Sequence, residues 1–98
     1  MSVDFKASLS DAMPAPDLAP TLAAMWWAAK GDWNKAHSIA QDEATSDGAW
    51  VHAYLHRVEG DLGNAGYWYR QAGKPAASGP LEAEWEQIVR TLLGNSRV

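Results

Sequence analysis

Gly31-Asp32-Trp33-Asn34-Lys35-Ala36 returns 29 residues further along as Gly60-Asp61-Leu62-Gly63-Asn64-Ala65, and the reading of this pair decides the fold. In each copy a glycine stands where a helix must stop, because only glycine enters the left-handed region without a Cβ penalty. The aspartate that follows is a natural N-cap, its carboxylate accepting from the open amides of the next helix. The alanine four residues after that aspartate lets the second helix axis approach the first closely. The pair therefore predicts two antiparallel helical hairpins, turning at residues 31–32 and 60–61.

Upstream of the first turn, Leu18, Leu22, Met25 and Ala29 recur at helical spacing. Asp17 is the expected N-cap, with Pro20 tolerated in the first turn. Downstream, Trp33, Ala36, His37 and Ala40 share one helical face. Thr45-Ser46-Asp47-Gly48 is a cap-rich turn into a third helix carrying Trp50, Tyr54, Leu55 and Val58. A fourth helix follows the second turn with Leu62, Ala65, Tyr69 and Ala72, closed by Gly73 and Pro75. Residues 74–79 form a small-residue linker. A last helix from Pro80 to Gly94 carries the stripe Leu81, Trp85, Ile88 and Leu92, with Glu82 and Glu84 suited to its positive end. No segment alternates with period two, so strands are not expected. The predicted architecture is all-α, with five or six short helices in one domain over residues 1–98. Residues 1–16 make an arm or short helix, 17–44 the first hairpin, 46–73 the second hairpin and 80–94 a C-terminal helix.

Composition removes several function classes. A chain of 98 residues with 47% hydrophobic side chains has enough apolar material for one folded core. Twelve acids against eight bases give a net charge of −4, and the bases form no run able to neutralise several phosphates, which argues against nucleic acid. The longest apolar run, residues 22–29, is far short of the roughly 20 residues that span a bilayer. Residues 1–6 lack the basic-then-apolar order of a signal peptide, so the expected location is cytoplasmic. Absence of cysteine removes disulfides, thiolate metal sites and cysteine nucleophiles.

The two turns resemble those of the tetratricopeptide repeat, whose hairpin reads Gly-Asp-aromatic-x-x-Ala. The second copy matches better, with Ala65, Tyr69 and Ala72 giving the small–aromatic–small spacing and Ala53 the small residue of the preceding helix. The first has Ala36 and Ala40 but Glu43 at the last small position, and the offset is shorter than the usual ~34 residues. Residues 52–73, HAYLHRVEGDLGNAGYWYRQAG, are also similar to a family of small uncharacterised bacterial and fungal proteins, a likeness that implies no catalytic residue. The repeat resemblance implies a compact array of stacked hairpins that binds a partner. On its concave side Trp50, Tyr54 and Arg57 would meet a peptide carboxylate or another anion. The alternative is that Arg57 pairs locally with Asp61 or Asn64.

His52 and His56, spaced i, i+4, project from one side of a helix, with Glu59 one turn on. Two imidazoles and a carboxylate suit zinc or another divalent ion, but any third histidine, His37, must come from the other hairpin. In the plainer reading His52 hydrogen-bonds Tyr69 or a backbone carbonyl. Tyr67-Trp68-Tyr69 and Trp26-Trp27 cover more of a helix circumference than one interface uses. Those helices are then either sandwiched on several sides or line a groove. No nucleophile elbow, phosphate loop or dinucleotide motif is present, and Glu82, Glu84 and Glu86 read as a solvated cluster. The resulting expectation is a non-catalytic interaction module that binds a protein or peptide segment, or a second copy of itself, without a cofactor. Its binding residues would be Trp50, Tyr54, Arg57, His52, His56 and Tyr69. The competing expectation is a metal or small-molecule pocket, with or without enzymatic activity, around His52, His56, Glu59 and Tyr69.

Overall fold

A computed structural model describes residues 2–95. Among the described residues six helices follow one another: α1 (Ser2–Ala7), which runs into a 3-10 turn at Ser8–Ser10, α2 (Pro20–Ala29), α3 (Trp33–Gln41), α4 (Ser46–Val58), α5 (Leu62–Ala72) and α6 (Leu81–Asn95). The architecture is all-α, with no strand among the described residues. No described helix is long and apolar enough to cross a membrane.

Both Gly-Asp turns form as their residues dictate. Gly31 and Gly60 take φ of 86° and 87°, the left-handed conformation. Asp32 accepts from the Lys35 amide at 3.1 Å and Asp61 from the Asn64 amide at 3.2 Å, so each carboxylate caps the helix it starts. Ala36 and Ala65 are buried where the hairpin arms meet. The start of α2 differs from expectation: Ala19, not Asp17, is the N-cap residue, and Pro20 sits at the first helical position. The proline confines its predecessor to extended backbone, with Ala19 at ψ 147°, so the helix cannot reach back to Asp17.

Helix α4 is the axis of the molecule. It packs against α2, α3, α5 and α6, and nine consecutive residues, Gly48 to His56, are buried. A helix enclosed on every side needs no polar stripe, which explains its unbroken run of large side chains. Thr45 caps it, accepting from the Gly48 amide at 3.0 Å. Gly48 itself is required by close approach, because a Cβ there would strike the Glu43 carbonyl.

Helix α6 closes the core on the face that the sequence leaves for a partner. Trp85 donates its indole N–H to the Met25 carbonyl at 2.9 Å, and Ile88, Val89 and Leu92 are buried beside it. Glu84 is only 4% exposed, which corrects its reading as a solvated acid. Its carboxylate accepts from Arg57 Nη1 at 2.9 Å and from the Tyr69 hydroxyl, while Arg57 Nη2 donates to the Gly79 carbonyl. Arg57 thus pairs across to α6 rather than with Asp61 or Asn64. The N-terminal segment docks. Phe5 packs on Trp85 with ring centroids 6.0 Å apart, Trp26 donates to Ser8 Oγ at 3.0 Å, and Lys30 donates to the Leu9 carbonyl at 2.6 Å.

Candidate functional site

The residues expected to bind a partner separate into two groups. Trp50, Tyr54 and Tyr69 are 4%, 7% and 3% exposed. Lys74 lies over the Trp50 ring at 4.2 Å, and Arg57 and Tyr69 are bound to Glu84. This face is covered within the chain. Burial pushes the Tyr54 hydroxyl up to about 12, with the Glu84 carboxylate adding to the shift and Arg57 opposing it. Burial and the hydrogen bond to Glu84 raise Tyr69 as well. Both phenols stay protonated and serve the core.

His52 and His56 form the second group, and the hairpin register adds His37. In α3, Trp33 follows the Asp32 cap directly and donates its indole N–H to the Leu55 carbonyl of α4 at 2.7 Å. That bond fixes the start of α3 against α4, and His37, one turn on, meets His52 and His56. One ligating nitrogen from each of the three imidazoles lies within 4.8 Å of the other two. The Nε2 atoms of His37 and His52 are 2.9 Å apart, one donating its N–H and the other accepting. His52 is therefore not bonded to Tyr69, whose hydroxyl goes to Glu84.

Each imidazole has its own support. Trp33 stacks on His37 with centroids 4.6 Å apart and planes 11° from parallel. Trp68 of α5 stacks on His52 at 4.0 Å and 15°. His56 Nδ1–H donates to Glu59 Oε2 at 2.6 Å, so Nε2 is the nitrogen not engaged in that bond. His52 and His56 are 6% and 7% exposed, and His37 is half-buried. Burial lowers the His52 pKa to about 4, with the positive charges that His37 and His56 would carry adding to the effect. Burial also lowers His37, reinforced by His56 and opposed by Glu59. Both rings are neutral at pH 7, each with an unprotonated nitrogen.

A second group of possible ligands, His56, Glu59 and Asp61, lies at the α4–α5 turn, where both carboxylates are exposed. Beside His52, but not bordered by His37 or His56, a cleft of about 420 Å³ opens between the α3–α4 connection and α5, with Trp68 also in its wall. The sequence supplied the i, i+4 pair and the outer carboxylate. Trp33 and Trp68 as ring supports went unseen, since stacking across hairpins leaves no mark on spacing. No protein-family profile, curated protein or solved structure matches this chain, so neither the tetratricopeptide likeness nor the similarity of residues 52–73 gains support from comparison.

Proposed function

We propose that this chain is a small helical metal-binding protein whose histidine cluster takes one late first-row divalent ion, zinc foremost. The observation that carries this reading is the convergence of His37, His52 and His56. Three nitrogens each about 2.0–2.1 Å from one ion stand about 3–3.5 Å from one another. The 2.9 Å between His37 and His52 is already close to that spacing. For an ion to sit between the two Nε2 atoms, the ring that donates would shift its proton to its own Nδ1, so that both imidazoles ligate in the neutral form. Imidazole ligands select zinc, copper, nickel or cobalt over magnesium and calcium, which prefer oxygen. Rings kept neutral by burial hold their lone pairs ready. Glu59, bonded to the far nitrogen of His56, fits the carboxylate–histidine–metal arrangement in which an outer carboxylate fixes the tautomer.

The test is a calorimetric titration of metal-free protein. Zinc should bind with a stoichiometry of one and magnesium should not. His37→Ala and His52→Ala should each abolish tight binding, and Glu59→Gln should weaken it by about 10–100-fold. Unchanged zinc affinity in both histidine variants would refute the assignment. Recognition of a protein segment or of a second copy would need another surface, since α6 covers Trp50 and Tyr54. Among the described residues Met13, Val58, Leu62, Tyr67 and Leu81 are the large apolar side chains left exposed for it.

A further inference from the structure

We infer that an ion held by the three histidines keeps an open coordination position, and that the adjoining cleft delivers to it a small oxygen- or nitrogen-donor molecule. This rests on the metal-binding reading above and deepens it. Among the described residues no carboxylate joins the three imidazoles as a fourth ligand: Glu59 groups with His56 and Asp61, but not with His37 and His52. The nearest acid is also engaged, its Oε2 accepting from His56 Nδ1. Structural zinc sites are closed by four protein ligands, whereas sites with three protein ligands leave the fourth to water or substrate.

The cleft of about 420 Å³ has room for a small organic molecule, and His52, an ion ligand, forms part of its wall. Of the three imidazoles only that of His52 lines the cleft, and the rest of the wall mixes polar residues (Gln41, Glu43, Ser46 and Gln71) with Trp68 and three alanines. This mixture suits a compact polar molecule carrying hydroxyl, amide or hydroxamate groups. With Glu43 the one charged residue in the wall, it does not suit a polyanionic one. A cleft with an ion ligand on one side and a mixed wall of alanines, an indole and a few polar side chains elsewhere resembles ligand sites in which a few polar groups fix orientation.

Cobalt loading of the full chain tests this, because the visible absorption of cobalt reports both its binding and its coordination number. Cobalt alone should give intense tetrahedral-type bands. Azide and acetohydroxamate should each shift those bands saturably. Ser46→Trp, at an exposed position on the cleft wall, should weaken acetohydroxamate by an order of magnitude while leaving cobalt affinity and the smaller azide unaffected. Cobalt bands that neither probe moves would overturn the open position and leave the three-histidine site standing. Acetohydroxamate binding indifferent to Ser46→Trp would overturn delivery through the cleft. Failure of cobalt to bind would remove the site itself, and this inference with it.

Discussion

His52 combines a buried ring, a hydrogen bond to a second imidazole and a face stacked on Trp68. Its surroundings explain its resistance to protonation. His37 comes from α3, and His56 from its own helix with Glu59 behind it. From α5 comes only an uncharged indole. The folded-state pKa of about 4 lies below the ordinary 6.5, so between these values the unfolded chain binds a proton that the folded chain refuses. The contribution of His52 to stability is therefore fully present above pH 6.5 and is lost as pH falls toward 4. Thermal melts of the metal-free protein stepped through this window should show a falling Tm, with a shallower slope in His52→Gln. Equal slopes in the two proteins would show that the ring is not held neutral by the fold. The pairing of His52 with His56 was legible because i, i+4 is a local relation. His37 was legible only as a candidate. Its place depends on the register of α3 against α4, which the Trp33–Leu55 bond sets and which no spacing in the sequence encodes.

The helical hairpins are where the sequence spoke most clearly. A glycine with positive φ, an aspartate cap and a buried alanine are local chemistry, and both turns formed from them. Ala65 is 2% exposed in the α4–α5 hairpin. Ala65→Leu should force the two helices apart and destabilise the protein by about 1–3 kcal/mol, read by urea unfolding. An unchanged midpoint would mean that α5 does not press on α4 there. Since α5 also carries Trp68 against His52, the same variant should loosen the imidazole cluster. What the hairpins did not disclose was the enclosure of α4. Nine buried residues in a row give no face to read, so Trp50 and Tyr54 looked like surface aromatics when they are core.

In the whole molecule, the decisive arrangement is α6 packed on α2 and α4, with Glu84 tying it to α4 by a buried ion pair and to α5 by one hydrogen bond. Arg57 and Glu84 meet at 2.9 Å with side chains 12% and 3% exposed, and Tyr69 donates to the same carboxylate. A glutamate in the first turn of a helix reads from sequence as a solvated, dipole-favoured acid. Only the docking of α6 reveals its partner. Removing one member of such a pair leaves the other charge buried and uncompensated, so Glu84→Ala should cost about 3–5 kcal/mol. The loss should appear as a lower Tm and increased hydrogen exchange in α6, and retention of wild-type stability would show that α6 is held by Trp85 and Ile88 alone. The histidine cluster lies among α3, α4 and α5, apart from the Glu84 clamp, so one side of α4 is spent on closing the core while another holds the imidazoles.

The three-histidine assignment meets its sharpest test in crystals of the protein grown with zinc and measured at the zinc absorption edge. One anomalous peak should lie among His37, His52 and His56, about 2.0–2.1 Å from a nitrogen of each. A peak instead at His56, Glu59 and Asp61, or no peak in either place from zinc-saturated protein, would contradict it.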